Sequence, residues 1–481
     1  MRRPRYTTSW QSKRKSWLRN TLLLILIGLP LLLILAELIA RGAVLATGST
    51  NQLIPNKTVA IAQSYAFKLQ DSSGNNYPGL PDAGQLHVKR SPLLGYELLP
   101  SQSSDYWRIN DQGFRQDSSV PIDKPANEIR VFLVGSSTAF TNMAEKNQKA
   151  LAFKIEKLLN DRVRAQNSSP EKFKPKEIPY FADQIEAMRT LPPRIRDGSY
   201  RVIAAAAPGY SSGNELALLS HKVMAYSPNA LLILDGYEDL RSPSNQSARE
   251  IGNVEQMLRD PLAQYRQHQT QQFNNWLNSL YLVKAWQKWV VPADITTFSS
   301  EYQAFNAEQL SKDPKEIQKR VERYLYNTQQ MTRLANSIPA LIILQPEITG
   351  KQKSLTKEEE GILKSLGKEY SDRITNAYKL TEQALSNSPL KPRFVNFYQL
   401  FQDTNQQAFI DPIHLTEAAN DLLAQKLYAS TEQLFLVQPA PNALNGEVEP
   451  QPAPPQPVVP QPVVPQPVPS PNPAATPTPT N

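Results

Sequence analysis

The sequence predicts an α/β domain with a mostly parallel sheet, set between one N-terminal membrane helix and a proline-rich tail. Three observations carry this. From Glu128 onward, short β-branched runs alternate with amphipathic helical stretches, the pattern of a sheet wound by crossover helices. An uncharged apolar run, Thr21–Ala36, follows a basic arm. The chain ends, from Gln438 to Asn481, in a stretch built around PQPVVPQPVVPQPVPSP.

Each element has its own signal. Ile129–Val134 is apolar and β-branched, as a strand buried on both faces must be. A helix is expected over about 147–163, with Leu151, Ile155, Leu158 and Leu159 on one face. Further strands are expected at Tyr200–Ala206, Ala230–Leu234, Ala340–Leu344 and Arg393–Phe397, with a helix over about 214–226. A last helix is N-capped by Thr416 and runs to about Phe435. The domain thus covers 128–437. Residues 44–127 form a stalk and lead-in, and 91–115 within them form short strands and turns that pack on the body.

Two segments interrupt the alternation. Residues 165–198, rich in Pro, Lys and Glu, read as an insertion. Residues 241–338 carry Gln-rich helical stretches and read as a cap over the carboxyl edge of the sheet. The Trp and Tyr stripe at 276–289 reads first as packing within that cap. The rival reading is a surface facing lipid or substrate.

The chain has 481 residues, a net charge of +8, forty-one prolines and no cysteine. Without cysteine there is no disulfide framework and no thiolate nucleophile. Seven of the basic residues, Arg2, Arg3, Arg5, Lys13, Arg14, Lys15 and Arg19, lie in residues 1–20 with no acid among them. The excess charge is therefore a short arm rather than a nucleic-acid-binding face. The apolar run beside it is long enough to span a bilayer from Thr21 to Ala40, with Glu37 near the outer interface and Pro30 kinking the helix. The anchor is taken as 21–43. The positive-inside rule keeps the arm cytoplasmic and puts the body outside, as a single-pass plasma-membrane protein. A cleaved signal peptide, processed near Val44-Leu45-Ala46, is the rival reading, but the run exceeds the usual ~7–15-residue core of such peptides. The tail favours extended polyproline backbone and reads as a semi-rigid spacer.

Three blocks sit where strands end, and a fourth sits just ahead of the last helix. VFLVGSSTAF (131–140) leads from a strand through Gly135 and Ser137 into a helix, where an α/β sheet exposes side chains at its carboxyl edge. AAAAPGYSSGNEL (204–216) follows the second strand, and its Gly209 can turn a backbone N–H toward a developing oxyanion. LILDGYEDL (232–240) follows the third. FIDPIHLTEAAN (409–420) places Asp411 three residues before His414; such a turn can supply both the imidazole base and the acid that orients it. Taken singly, the serine reads as a helix cap and the Asp–His pair as a loop feature.

Together, in this order, the four blocks resemble the SGNH/GDSL hydrolases over about 128–437. The lead-in LLGYELLP … RINDQGFR and ILQPEI (343–348) look like membrane-attached members of that family. The resemblance implies a flavodoxin-like three-layer sandwich with a five-stranded sheet. It also implies a catalytic set of Ser137, His414 and Asp411, and an oxyanion hole formed by the N–H groups of Ser137 and Gly209. The expected activity is removal of acyl groups from lipids or envelope polysaccharides, or transfer of such groups to glycans. The chain departs from the pattern twice. Ser136 replaces the usual Asp beside the nucleophile. Glu238 replaces the oxyanion-hole Asn, and an ionised carboxylate accepts hydrogen bonds where an amide donates. The departure at Glu238 leaves a non-catalytic envelope-binding protein as the alternative function. No cofactor is expected, and His87, His221, His268 and His414 show no metal-ligand spacing. The expected partners are the bilayer and an acylated lipid or glycan.

Overall fold

The computed structural model describes residues 24–47, 57–71, 73–77, 84–248, 250, 259–289 and 309–441. The basic arm, most of the proline-rich tail and parts of the stalk and cap lie outside the described residues. The apolar run forms a π-helical turn, Leu24–Gly28, followed by helix α1 (Leu29–Thr47). The irregular turn comes just before Pro30, whose ring cannot continue a regular helix behind it. Within this stretch, Leu26–Ala46 is long and apolar enough to cross a membrane, with mean hydropathy 2.1.

The lead-in is a small unit packed on the body. A helix, Lys57–Tyr65, is followed by strands Phe67–Gln70, Leu86–Ser91 and Gly95–Leu98, and then by the short pair Gln102–Ser103 and Arg108–Ile109. The short strands and turns expected over 91–115 are present.

The body contains the expected sheet. Its strands are β1 (Glu128–Gly135), β2 (Ser199–Ala206), β3 (Ala230–Asp235), β4 (Ala340–Leu344) and β5 (Phe394–Asn396). The spatial order is β5-β4-β3-β1-β2, and every pairing is parallel. That is the flavodoxin-like order, with its switch point between β1 and β3. Every residue of β3 and β4 is buried, which explains why these segments read as continuous apolar runs.

Helices close both faces. After β1 the helices are α2 (Ser137–Phe140), α3 (Leu151–Ser168), α4 (Ser212–His221), α5 (Tyr237–Arg241), α6 (Pro261–Ser279), α7 (Tyr281–Trp289), α8 (Pro314–Ala335), α9 (Lys357–Ser386) and α10 (Glu417–Glu432), of which α6 packs on α7 and α7 on α1 instead of on the sheet. One layer pairs α3 with α10, and the other packs α8 between α4 and α9. Helix α8 therefore belongs to the body, although it lies within 241–338. The 165–198 insertion holds an exposed helix, Ala182–Arg189, and a short strand, Arg194–Ile195, that pairs with Leu436–Val437. The aromatic stripe does not pack a core as its first reading expects: Trp276 and Trp286 are 56 % and 59 % exposed.

Parallel pairing aligns the strand ends. Gly135 stands opposite Ala206 and Leu234, and Asp235 opposite Leu344. The chain turns at Gly135 with no room for a side chain, since a Cβ there would lie 2.1 Å from Leu234 O and 2.7 Å from Ala139 Cβ. We expect Gly135→Ala to cost more than about 2 kcal/mol in urea unfolding, because the obstacle is backbone. A loss below half of that would show that the turn can shift.

Candidate active site

Ser137 is the first residue of α2, two residues past the end of β1. It is fully buried, and its Oγ makes no hydrogen bond among the described residues. An orphaned buried hydroxyl is costly in a structural role. The helix is only four residues long and ends at Thr141 in the left-handed region, φ 62°. Met143 adopts the same region, φ 70°. Left-handed backbone at non-glycine residues persists only where the surroundings impose it.

One side chain supplies much of that constraint. Arg115, the last residue of RINDQGFR, is fully buried. Its Nη1 donates to the carbonyls of Phe140 (2.6 Å) and Thr141 (2.8 Å), at the end of the helix that Ser137 begins. Nε donates to Asn147 Oδ1 at 3.0 Å and Nη2 to the Tyr65 hydroxyl at 2.7 Å. The guanidinium also lies over the rings of Tyr65 and Phe140, at 5.3 and 5.1 Å. The guanidinium fork thus satisfies carbonyls that so short a helix cannot satisfy itself.

Asp411 and His414 form one hydrogen-bonded unit. Asp411 Oδ2 lies 2.5 Å from His414 Nδ1, and Oδ1 accepts the backbone N–H groups of Ile413 (3.0 Å) and His414 (2.8 Å). Burial pushes the Asp411 carboxyl up, but the charge and hydrogen bond of His414 and the two amides outweigh it and hold the group below its ordinary value. The loop sits at the carboxyl end of β4, where Ile348 N–H donates to Pro412 O at 2.9 Å. A buried ion pair fixes its approach: Lys351 Nζ lies 2.6 Å from Glu359, whose other oxygen accepts the amides of Ala408 and Phe409. Lys149–Glu417 and Lys154–Asp421, both at 2.6 Å, tie the chain beyond Ser137 to α10. Ser137 and the Asp411–His414 pair thus share the sheet's carboxyl edge, without a Ser137–His414 hydrogen bond.

Gly209 has φ +79° in the turn after β2. The lead-in holds this turn: Tyr96 OH donates to Pro208 O, and Tyr210 OH donates to Tyr96 O at 2.6 Å. Glu238 lies in the first turn of α5 and is buried. Both its oxygens are 3.3 Å from Arg241 Nη1. Arg241 is buried as well, and its Nε donates to Gln309 at 2.7 Å. Where the resemblance expects one neutral amide, this chain has a buried ion pair.

The sequence reading passed over a second feature behind the site. Asp235, at the end of β3, accepts Tyr324 OH at 2.6 Å. Asp239 accepts both the N–H and the hydroxyl of Ser212 at 2.7 Å. Glu215, fully buried, lies against Asp235. Burial, followed by the charges of Asp235, Asp239 and Glu238, raises the Glu215 carboxyl well above its usual range. Burial likewise raises Asp235 to about 6. Two buried carboxyls this close disfavour double ionisation, so burial and mutual repulsion both favour a protonated Glu215. The sequence signal is slight: an acid directly before the GYED block and another in GNEL.

No family model and no curated protein matches this chain. Solved structures do. A lipase/acylhydrolase from Enterococcus faecalis matches with TM-score 0.32 and 11 % identity over 65 % of this chain and 98 % of that one. An acetyl xylan esterase, AlAXEase, matches with TM-score 0.30 and 11 % identity over 63 % and 99 %. A variant acetyl xylan esterase from Geobacillus stearothermophilus matches with TM-score 0.31 and 10 % identity over 64 % and 97 %.

Two predictions follow from the geometry. Arg115→Met strands the Phe140 and Thr141 carbonyls and should cost about 2–4 kcal/mol in urea unfolding; a cost near zero would mean that the helix end holds itself. The Glu215–Asp235 pair should make stability fall as pH rises. Asp235 is raised from 3.8 to about 6, so the folded state binds the extra proton across that window and loses this advantage above it. Glu215→Gln removes one of the two ionisable groups and leaves Asp235 without a charged neighbour at that position. The variant should match wild type near pH 4 and exceed it by about 1–3 kcal/mol at pH 8. Parallel stability curves would show that Glu215 takes up no extra proton in the folded state.

Proposed function

We propose that this chain is a membrane-anchored serine esterase with Ser137 as nucleophile, His414 as base and Asp411 as its orienting acid. The observation that carries the reading is the Asp411–His414 pair, 2.5 Å apart and buried, on the same sheet edge as a buried serine whose hydroxyl has no structural partner. In this reading Ser137 Oγ attacks an ester carbonyl and His414 Nε2 takes its proton. Asp411 holds the Nδ1–H side of the ring, and the alcohol leaves with the proton from His414. Water then releases the acyl group by the same steps. The missing Ser137–His414 hydrogen bond fits a site without substrate, where such contacts are often long and close only in the complex.

The N–H groups of Ser137 and Gly209 form the oxyanion hole. Glu238 does not donate; its charge is balanced by Arg241, which leaves a near-neutral pair beside the hole. The anchor sets the substrate class: acyl esters of lipids or of envelope polysaccharides, outside the cytoplasm. With a sugar hydroxyl in place of water, the same site would transfer acyl groups to a glycan. The ion pair at Glu238, in place of a donor amide, favours a second reading, a domain that binds such ligands without turnover.

Labelling with a fluorophosphonate probe separates these readings. Wild type should label, and Ser137→Ala should not. An unlabelled wild type would favour the binding protein, and a labelled Ser137→Ala would clear Ser137. The ion pair gives a second test. Arg241→Leu leaves Glu238 charged beside the oxyanion and should lower kcat by ~10–100-fold. The double variant Arg241→Leu/Glu238→Gln should recover most of that loss. Equal activities in the two variants would place the pair away from the hole.

A further inference from the structure

The helix pair α6–α7 exposes several large apolar side chains. On α6, Leu262, Tyr265, Phe273 and Trp276 fall on one face by their spacing. All four are exposed, from 56 to 62 %. The opposite face carries Gln264, Gln267, Asn274 and Asn278. Helix α7 adds Trp286, with Lys284 on its other side. Residues 261–289 include Arg266, Lys284 and Lys288 but no acidic side chain.

The pair is fastened to the anchor. Glu37 of α1 accepts the first two amides of α7, those of Tyr281 and Leu282, each at 3.0 Å. A carboxylate from another element thus caps this helix, satisfying N–H groups that α7 cannot satisfy itself. Arg41 bonds Glu37 at 2.8 Å and lies 5.5 Å over the Tyr281 ring. In the span Thr21–Ala40 read from the sequence, Glu37 lies three residues from the outer end, about 5 Å along the helix axis. The contact therefore stands near the outer membrane boundary. Tyr and Trp concentrate at that depth because their rings are apolar and their polar atoms reach water. A basic amphipathic helix lying in the interface has this composition.

We infer that α6–α7 is a second membrane contact, lying in the outer lipid interface with Leu262, Tyr265, Phe273, Trp276 and Trp286 among the headgroups and upper acyl chains. This rests on the anchor reading. It has the body held down on the bilayer instead of swinging from a stalk, and gives the sheet edge access to esters at the membrane surface.

The chain has no cysteine, so single nitroxide labels can be placed cleanly in the full-length protein. Labels enter through Leu32→Cys in the anchor, Trp276→Cys and Trp286→Cys on the apolar face, and Gln267→Cys on the polar face. The protein is reconstituted in phosphatidylcholine vesicles containing phosphatidylglycerol, and collisions with oxygen and with a water-soluble nickel chelate are compared. The expected oxygen-to-nickel ratio at 276 and 286 exceeds that at 267 several-fold, and the label at 32 is deepest. Labels at 276 and 286 as nickel-accessible as the one at 267, with 32 still in lipid, overturn this inference and spare the anchor. A label at 32 in water overturns both. Labels at 276 shielded from both reagents and spin-coupled between molecules overturn it in favour of a second copy of the chain.

Discussion

Parallel pairing is the constraint on which the rest of this molecule depends. When all strands run one way, their carboxyl ends come out on one edge, and whatever follows each strand is delivered there. Ser137 follows β1, Gly209 follows β2, Glu238 follows β3, and the loop holding Asp411 and His414 bonds to the residues after β4. Residues far apart in the sequence are thereby delivered to one edge of the sheet. The sheet's buried apolar runs provide the rigidity, and the site residues need only short turns to reach their places.

Those turns are held from outside the domain that contains them. The lead-in contributes Arg115 to the end of the serine-bearing helix and Tyr96 to the turn containing Gly209. A four-residue helix has almost no intrinsic stability, so its position is set by what grips its ends. The buried Lys351–Glu359 pair does the same for the approach to His414. Replacing either partner would leave a charge buried alone, which is far costlier than the pair is favourable.

Much of this was legible in the sequence. The five strands could be read because each is a compact β-branched run, and the Thr416 cap because its chemistry is local. Ser137 and Gly209 were legible as turn residues at strand ends, and Asp411 and His414 as a turn just ahead of the last helix. What could not be read depended on distant partners. Arg115 sits in a stretch that reads only as turns and short strands, and its targets at 140 and 141 become visible only once the lead-in is folded onto the body. Glu215 and Asp235 are ordinary acids in sequence; the fold desolvates them together. Glu238 was legible as a departure from the resemblance, but its pairing with Arg241, one helical turn on, shows only in the folded chain. The aromatic stripe shows the opposite limit. Helical spacing identifies an apolar face without saying whether protein or something else covers it.

The proposed chemistry requires Ser137 to form a covalent acyl intermediate with His414 as base. Rapid acid quenching of the full-length protein after mixing with an activated acetate ester, followed by peptide mass spectrometry, tests this directly. The account predicts an acetyl group on the peptide containing Ser137, accumulating in wild type and strongly reduced in His414→Ala. Acetyl found only elsewhere, or at Ser137 to the same extent without His414, would contradict it.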